Sequence, residues 1–330
     1  MKRLQFYAII FFALAGTVFL QRDFFGKLVW EYLKFDTIAL ALNRDADFAV
    51  LVGNYYFNGP GGGMYDRARA KKYLELAIAR NPNVPLAWHQ LARIDFLSRK
   101  YADARAKIDR QIALHGDALP NSYYVRGLID GASYKLEDAE TDFKNALEKG
   151  DKTHWAIHND LAWIYFLRGD FKNAEKIAHQ GLSYNEGNPW LLNALGLALL
   201  NQGKKEALEA LTAAEDGMNR LTEADWRTAN PGNDPNDAVK DLADMRRIVA
   251  YNKALAQGNP TDPALLADIR IGNSKGVSPR GLNGGVIIAA CGYSYSQGTY
   301  YAYSQGTYYA YSQGTYYAYS QGTYYAYSQG

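Results

Sequence analysis

The chain has 330 residues, 48% of them hydrophobic and 21% charged, a globular balance that excludes disorder along its whole length. Thirty-six basic against 34 acidic residues give a net charge of +2, which makes no case for nucleic acid as a partner. A single cysteine excludes an internal disulfide framework and any cysteine-rich metal site.

The chain opens on Met1-Lys2-Arg3, followed by an uncharged apolar run from Leu4 to Leu20. Its 17 residues reach roughly 26 Å as a helix, just enough to cross a bilayer. Ala13-Leu14-Ala15 also fits a signal-peptidase pattern, so cleavage after Ala15 competes with retention, and a buried helix is the third alternative. The apolar residues continue through Val18-Phe19-Leu20, past that cleavage point, and favour a retained anchor over residues 1–22. Lys2 and Arg3 favour an inside N-terminus and an extracytoplasmic body; Arg22 and Lys27 pull the other way. Residues 23–46 read as a helical connector, with Trp30 to Leu42 its helical part.

An internal period governs the middle of the chain. Alanine recurs at Ala70, Ala104, Ala139, Ala174 and Ala207, at spacings of 34, 35, 35 and 33. About twelve residues before four of them stands a second small residue: Ala92, Gly127, Ala162 and Gly196. Amphipathic helical stretches with short polar breaks, such as Arg168-Gly169-Asp170, lie between. Paired antiparallel helices approach closely only where a side chain is missing at the crossing.

These residues resemble the tetratricopeptide repeat. One unit has Trp88, Leu91, Ala92, Tyr101 and Ala104 at the family's spacing, and another has Leu161, Ala162, Tyr165, Gly169, Phe171 and Ala174. A third supplies Gly127, Ala139, Phe143 and Ala146, and a fourth Leu195, Gly196, Gly203 and Ala207. The first unit has Gly53, Tyr56 and a closing Pro82, with Asn58 to Met64 lengthening its turn. The departures are Asp95 and Asp130 where an aromatic is usual, and a slipped register in the fifth unit. The resemblance implies an all-α solenoid of about five units over residues 47–216, each burying its apolar face on the next. Residues 217–260 supply a capping helix from Asp234-Pro235 to Gly258, carrying Val239, Leu242, Met245, Ile248, Val249 and Leu255. Residues 261–292 read as a linker.

The resemblance further implies a concave face, lined by the first helix of each pair, that holds extended peptides or proteins. Carried over unit by unit, its positions are Asn54, then His89 and Arg93, then Tyr124, then Asn159, Trp163 and Phe166, then Asn193 and Leu197. Asn159 and Asn193 suit a peptide backbone because an amide both donates and accepts. Tyr124, Trp163 and Phe166 would form apolar pockets, or simply pack on the neighbouring unit, and Arg93 suits a carboxylate. The two-lysine carboxylate clamp of some chaperone-binding members is not evident.

No catalytic constellation stands out, so an enzyme, a cofactor and a metal are not expected. His154 and His158 stand one helical turn apart, which is metal-ligand spacing, yet no third ligand lies nearby in sequence. The glycines of residues 59–63 precede Met64-Tyr65-Asp66 where a phosphate loop needs Lys and Ser or Thr. Cys291 matches a lipoprotein box by letters but lies far from the N-terminus.

The end of the chain changes character. Arg280 is the last charged residue, and 14 of 27 tyrosines fall between Tyr293 and Tyr327. From Tyr295 the unit YSQGTYYA is copied four times without a substitution, so residues 293–330 form a low-complexity tail. Its period of eight is even, and strand side chains alternate with period two. Every extended copy therefore keeps Tyr303, Gln305, Thr307 and Tyr309 on one face, which suits in-register stacking and self-association. A tolerated tandem expansion or a frame-shifted end are the alternatives. Two functions remain: a peptide-binding scaffold anchored at the cell envelope, or a surface adhesion protein acting through its tail.

Overall fold

A computed structural model describes residues 21–58, 64–230 and 232–258, and the backbone of four short strands within 301–326. The expected anchor, apart from Gln21 and Arg22, lies outside the described residues, as do the glycine turn at 59–63, the linker and Cys291. Among the described residues no helix is long and apolar enough to cross a membrane.

The body is an all-α solenoid of helix pairs. A hairpin comes first: α1 (Arg22–Leu28), a π turn (Val29–Leu33) and α2 (Asp36–Leu42). Five pairs follow: α3 (Ala46–Asn58) with α4 (Arg67–Arg80), α5 (Ala87–Leu97) with α6 (Tyr101–His115), and α7 (Asn121–Ala132) with α8 (Leu136–Lys149). The last two are α9 (Trp155–Leu167) with α10 (Phe171–Tyr184), and α11 (Pro189–Leu200) with α12 (Ala207–Arg220). The short α13 (Glu223–Ala229) and the long α14 (Ala238–Ala256) complete the described helices. Each first helix packs on its own second helix, and each second helix on the next first helix.

The small residues sit where helices cross. A Cβ at Gly127 would stand 2.6 Å from the Phe143 ring, and one at Gly196 would stand 2.5 Å from Leu211 Cγ. Both are closer than real Cβ contacts, so these crossings close only on glycine. Ala70, Ala104, Ala139, Ala174 and Ala207 are all buried against the facing helix. Local signals set the helix starts: Asp66 accepts from the Arg69 amide, Asn188 from the Trp190 and Leu191 amides, and Thr222 forms a capping box with Asp225.

α14 takes the place that a further first helix would have. It packs along α12, joined by Lys253 to Glu215 at 2.6 Å and by Arg246 to the carbonyl of Leu221 at 2.7 Å. Met245, Ile248 and Val249 bury on Ala214 and Met218. At the opposite end Asp36 accepts from both Tyr56 and Tyr73, and Arg80 donates to the carbonyls of Leu40, Asn43 and Asp45. Trp30 meets Tyr55 edge-on at 4.9 Å. The hairpin is thereby fixed to the first pair.

Candidate binding groove

The nine positions carried over from the family pattern lie on the first helices of all five pairs. Asn54 is on α3, His89 and Arg93 on α5, Tyr124 on α7, Asn159, Trp163 and Phe166 on α9, and Asn193 and Leu197 on α11. Asn54 and Phe166 are half-buried, while the other seven are buried. Two different things cover them.

The first is the neighbouring repeat. His89 Nδ1 lies 3.2 Å from the Ser122 hydroxyl on the next first helix. Complete burial, with the Arg93 charge nearby, lowers the His89 pKa to about 3, so this ring is neutral. Tyr124 donates to Asp160 Oδ2 at 2.7 Å across the same kind of boundary, and Asn159 donates to Asp160 Oδ1 at 3.1 Å. Burial raises Asp160 to about 7, against the opposing pull of those two hydrogen bonds. Its partners are neutral, which is why desolvation wins.

The second cover is the chain's own C-terminal segment. Asn252 on α14 donates to Asn193 Oδ1 at 2.9 Å. Leu255 and Ala256 pack against Leu197 and Leu211 together with Phe166, which stacks on Trp163 at 4.9 Å. Trp226 on α13 lies 6.1 Å from Trp190, which meets Trp155 at 4.9 Å. At the far end of the row, the Tyr65 hydroxyl donates to the Gly232 carbonyl at 2.8 Å, a contact 167 residues apart in sequence. Gly232 sits at φ +86, and a Cβ there would stand 2.9 Å from both Arg93 Nη2 and the Phe57 ring. Arg93 itself lies over Phe57 at 4.6 Å and donates to Gln90 at 2.7 Å. Gly232 therefore lies at the α3–α5 end of the row and α14 at α11.

The pattern departures have partners. Asp95 and Asp130, buried where an aromatic is usual, pair with Lys107 and Arg105. Arg126 bridges Asp142 at 2.7 Å and Asp109 at 3.1 Å, linking the second and third pairs through charge. Basic residues at 105, 107 and 126 were visible in the sequence. The capping helix was expected from Asp234-Pro235 to Gly258, but nothing in the sequence marked Gly232 as reaching Arg93. His154 and His158 are both buried; His154 is lowered to about 4 and His158 Nε2 faces the Lys152 carbonyl at 2.8 Å. Among the described residues no group of three His, Cys, Asp or Glu side chains is placed to hold a metal ion.

No family model matches the chain, and no curated protein matches it significantly. Solved structures do. PilW, described as a widely conserved type IV pilus biogenesis factor, is 16% identical over 68% of this chain and 90% of its own, with a TM-score of 0.50. TTC0263, a thermophilic TPR protein of Thermus thermophilus, is 21% identical over 59% of this chain and 99% of its own, at TM-score 0.43. YrrB, described as a TPR protein with an unusual peptide-binding site, is 18% identical over 59% and 95%, at TM-score 0.41. At these identities the PilW likeness is one of fold, a helix-pair solenoid of the same kind.

Proposed function

We propose that this chain is a non-catalytic scaffold that binds extended polypeptide along the row of first-helix residues, held at a membrane by its N-terminus with the repeats outside the cytoplasm. One observation carries the binding reading: beside Arg93, at the α3–α5 end of the row, the chain's own backbone at Gly232 is held in place. The Tyr65 hydroxyl takes a backbone carbonyl, that of Gly232, and Phe57 and Arg93 close on the α-carbon beside it. A hydrogen bond to a carbonyl reads no side chain, so the same device suits a segment from another protein. A partner would compete with the chain's own strap, taking over Tyr65, Arg93 and Phe57 as residues 226–237 leave. Asn159 and Asn193 serve this reading by fixing the row, through Asp160 and Asn252.

The test uses the full chain carrying Gly232→Ala, which strains φ +86 and crowds Phe57 and Arg93. A labelled synthetic peptide of residues 222–237 should bind it saturably by fluorescence anisotropy, and Tyr65→Phe should weaken that binding. No saturable binding would sink the proposal. The anchoring part rests on the uncharged Leu4–Leu20 run and is tested separately, by protease shaving of intact cells with antibodies to the repeats.

A second reading has its own support. Tyr301–Tyr303 pairs in parallel with Tyr317–Tyr319, and Tyr309–Ala310 with Tyr325–Ala326, so these short segments align with the identical residues two copies on. That register suits adhesion or self-assembly through the tail. Deleting residues 281–330 should abolish surface attachment or clustering under this reading and leave peptide binding intact under the first.

A further inference from the structure

Exposed apolar surface is concentrated in one place. Among the described residues ten large hydrophobic side chains are exposed, and five of them are Phe24, Tyr32, Leu33, Phe35 and Ile38, each more than half exposed. A run of 15 residues thus holds half of them, on the hairpin α1–π turn–α2, although the opposite side of that hairpin is well packed. Trp30, Ala39 and Leu40 bury inward, and Asp36 and Arg80 tie it to the first pair. Nothing about the hairpin's stability requires the outer residues to be aromatic or branched. Patches of this kind mark interaction surfaces.

The sequence next to it narrows the partner. The uncharged run ends at Leu20, and Phe24 follows four residues later, within about 14 Å even of fully extended chain. If the run crosses a bilayer, α1 starts in the headgroup layer. Phe24, Leu28 and Tyr32 recur every four residues, a stripe along the helix axis. Such a stripe meets the interface along its whole length only if the helix lies flat. Gln21, between the run and α1, has φ −111 and ψ 24, outside helical geometry, so the chain breaks where that turn is needed. Arg22, Lys27 and Lys34 are matched by Asp23, Glu31 and Asp36, so the patch has no net charge to draw anionic lipid.

We propose that the hairpin of residues 22–42 lies in the interfacial layer of the bilayer, with Phe24, Tyr32, Leu33, Phe35 and Ile38 embedded among headgroups and upper acyl chains. The inference rests on the membrane-anchored reading. Aromatic residues at this depth hold a protein at a fixed level. Because the hairpin is bonded to the first pair, the contact also fixes the orientation of the solenoid on the membrane.

The experiment uses the full chain with Cys291→Ser, reconstituted into phosphatidylcholine vesicles. Single cysteines replace Tyr32, Ile38 or, as a distant exposed control, Leu208, and each carries an environment-sensitive fluorophore. Lipids bearing a quencher near the headgroup should quench the labels at 32 and 38 severalfold more than the label at 208. Adding anionic lipid or salt should leave that ratio unchanged. Equal quenching at all three positions overturns the proposal, as does quenching that appears only with anionic lipid or only with a quencher at the bilayer centre. Labels shielded by a concentration-dependent dimer, without lipid quenching, overturn it in favour of a second copy. If the chain does not float with the vesicles, the anchor itself has failed and the proposal falls with it; flotation without quenching rejects the hairpin alone.

Discussion

The third and fifth helix pairs solve one packing problem with different chemistry. On the first helices, 69 residues apart, Arg126 stands against Leu195, Asp130 against Leu199 and Tyr134 against Gly203; on the second helices, where Ala139 and Ala207 are 68 apart, Asp142 stands against Ala210 and Phe143 against Leu211. Gly127 and Gly196 occupy the shared crossing point, each too close to its facing side chain for a Cβ. In the fifth pair the seam is apolar, and Leu195, Leu199 and Ala210 are buried in one cluster. In the third it is ionic: Arg126 bridges Asp142 and Asp109, while Arg105 pairs with Asp130. Close approach of the helices is therefore set by the missing side chain, and the chemistry of the seam is free to vary. An ionic seam contributes little net stability, because desolvation offsets attraction, yet it becomes costly once one partner is lost.

That asymmetry gives the largest expected effect. Arg126→Leu strands Asp142, whose side chain is 4% exposed, and should cost about 3 kcal/mol or more, a Tm loss of roughly 10 °C. Adding Asp142→Ala reproduces the Leu195 and Ala210 arrangement and should recover most of it. Thermal melts of the two singles and the double form the cycle; a double no better than Arg126→Leu would show that the seams are not interchangeable.

A carboxylate with neutral partners should behave in the opposite way. Asp160 is held by Tyr124 and Asn159, and burial lifts its folded pKa to about 7, above the ordinary carboxylate value of 3.8. Its contribution is therefore fully present below pH 4 and is lost as pH rises to 7. Asp160→Asn keeps an acceptor for Tyr124 and should add about 2 kcal/mol at pH 8. The gain should shrink as pH falls and vanish near pH 4, which melts across that range would show. A gain that does not change with pH would contradict the assignment.

The turns inside the pairs offer a smaller contrast. Arg99 and Tyr134 have φ of 59 and 61 where Gly169 and Gly203 have 73 and 68. L residues are disfavoured there, so Arg99→Gly should gain about 1 kcal/mol and Gly203→Ala should lose about as much. No atom lies within 4 Å of a Cβ placed on Gly203, which isolates the backbone effect. Equal melts for the two variants and the parent chain would remove the argument.

The period of small residues, with one helix between each pair of them, was legible in the sequence because a crossing constrains residue size directly. Trp30 to Leu42 was expected as helical, but the structure breaks that stretch at Lys34, φ 54, between the π turn and α2, and folds residues 22–42 as a hairpin. The expected groove positions landed on the first helices, yet burial separates them into two groups that no local pattern distinguishes. His89 and Tyr124 bond to the neighbouring repeat and Asn159 to Asp160 on its own helix, whereas Arg93 is met by Gly232, and Asn193 and Leu197 by α14. Of the second cover, α14 was expected as a capping helix, whereas the contact of Tyr65 with Gly232 appears only in the folded chain. Asp160 was missed for a related reason: a lone aspartate in a helix reads as solvated until its surroundings are known.

The proposal is that the backbone at Gly232 occupies the Arg93 end of the row as a polypeptide ligand would. Amide hydrogen exchange of the full chain, compared with Gly232→Ala, tests it most directly. Peptides spanning 226–237 and 89–97 should exchange slowly in the parent chain, and both should speed up together in the variant, with α9 to α12 unchanged. Exchange of 226–237 at the rate of an unstructured chain in both proteins would contradict the account.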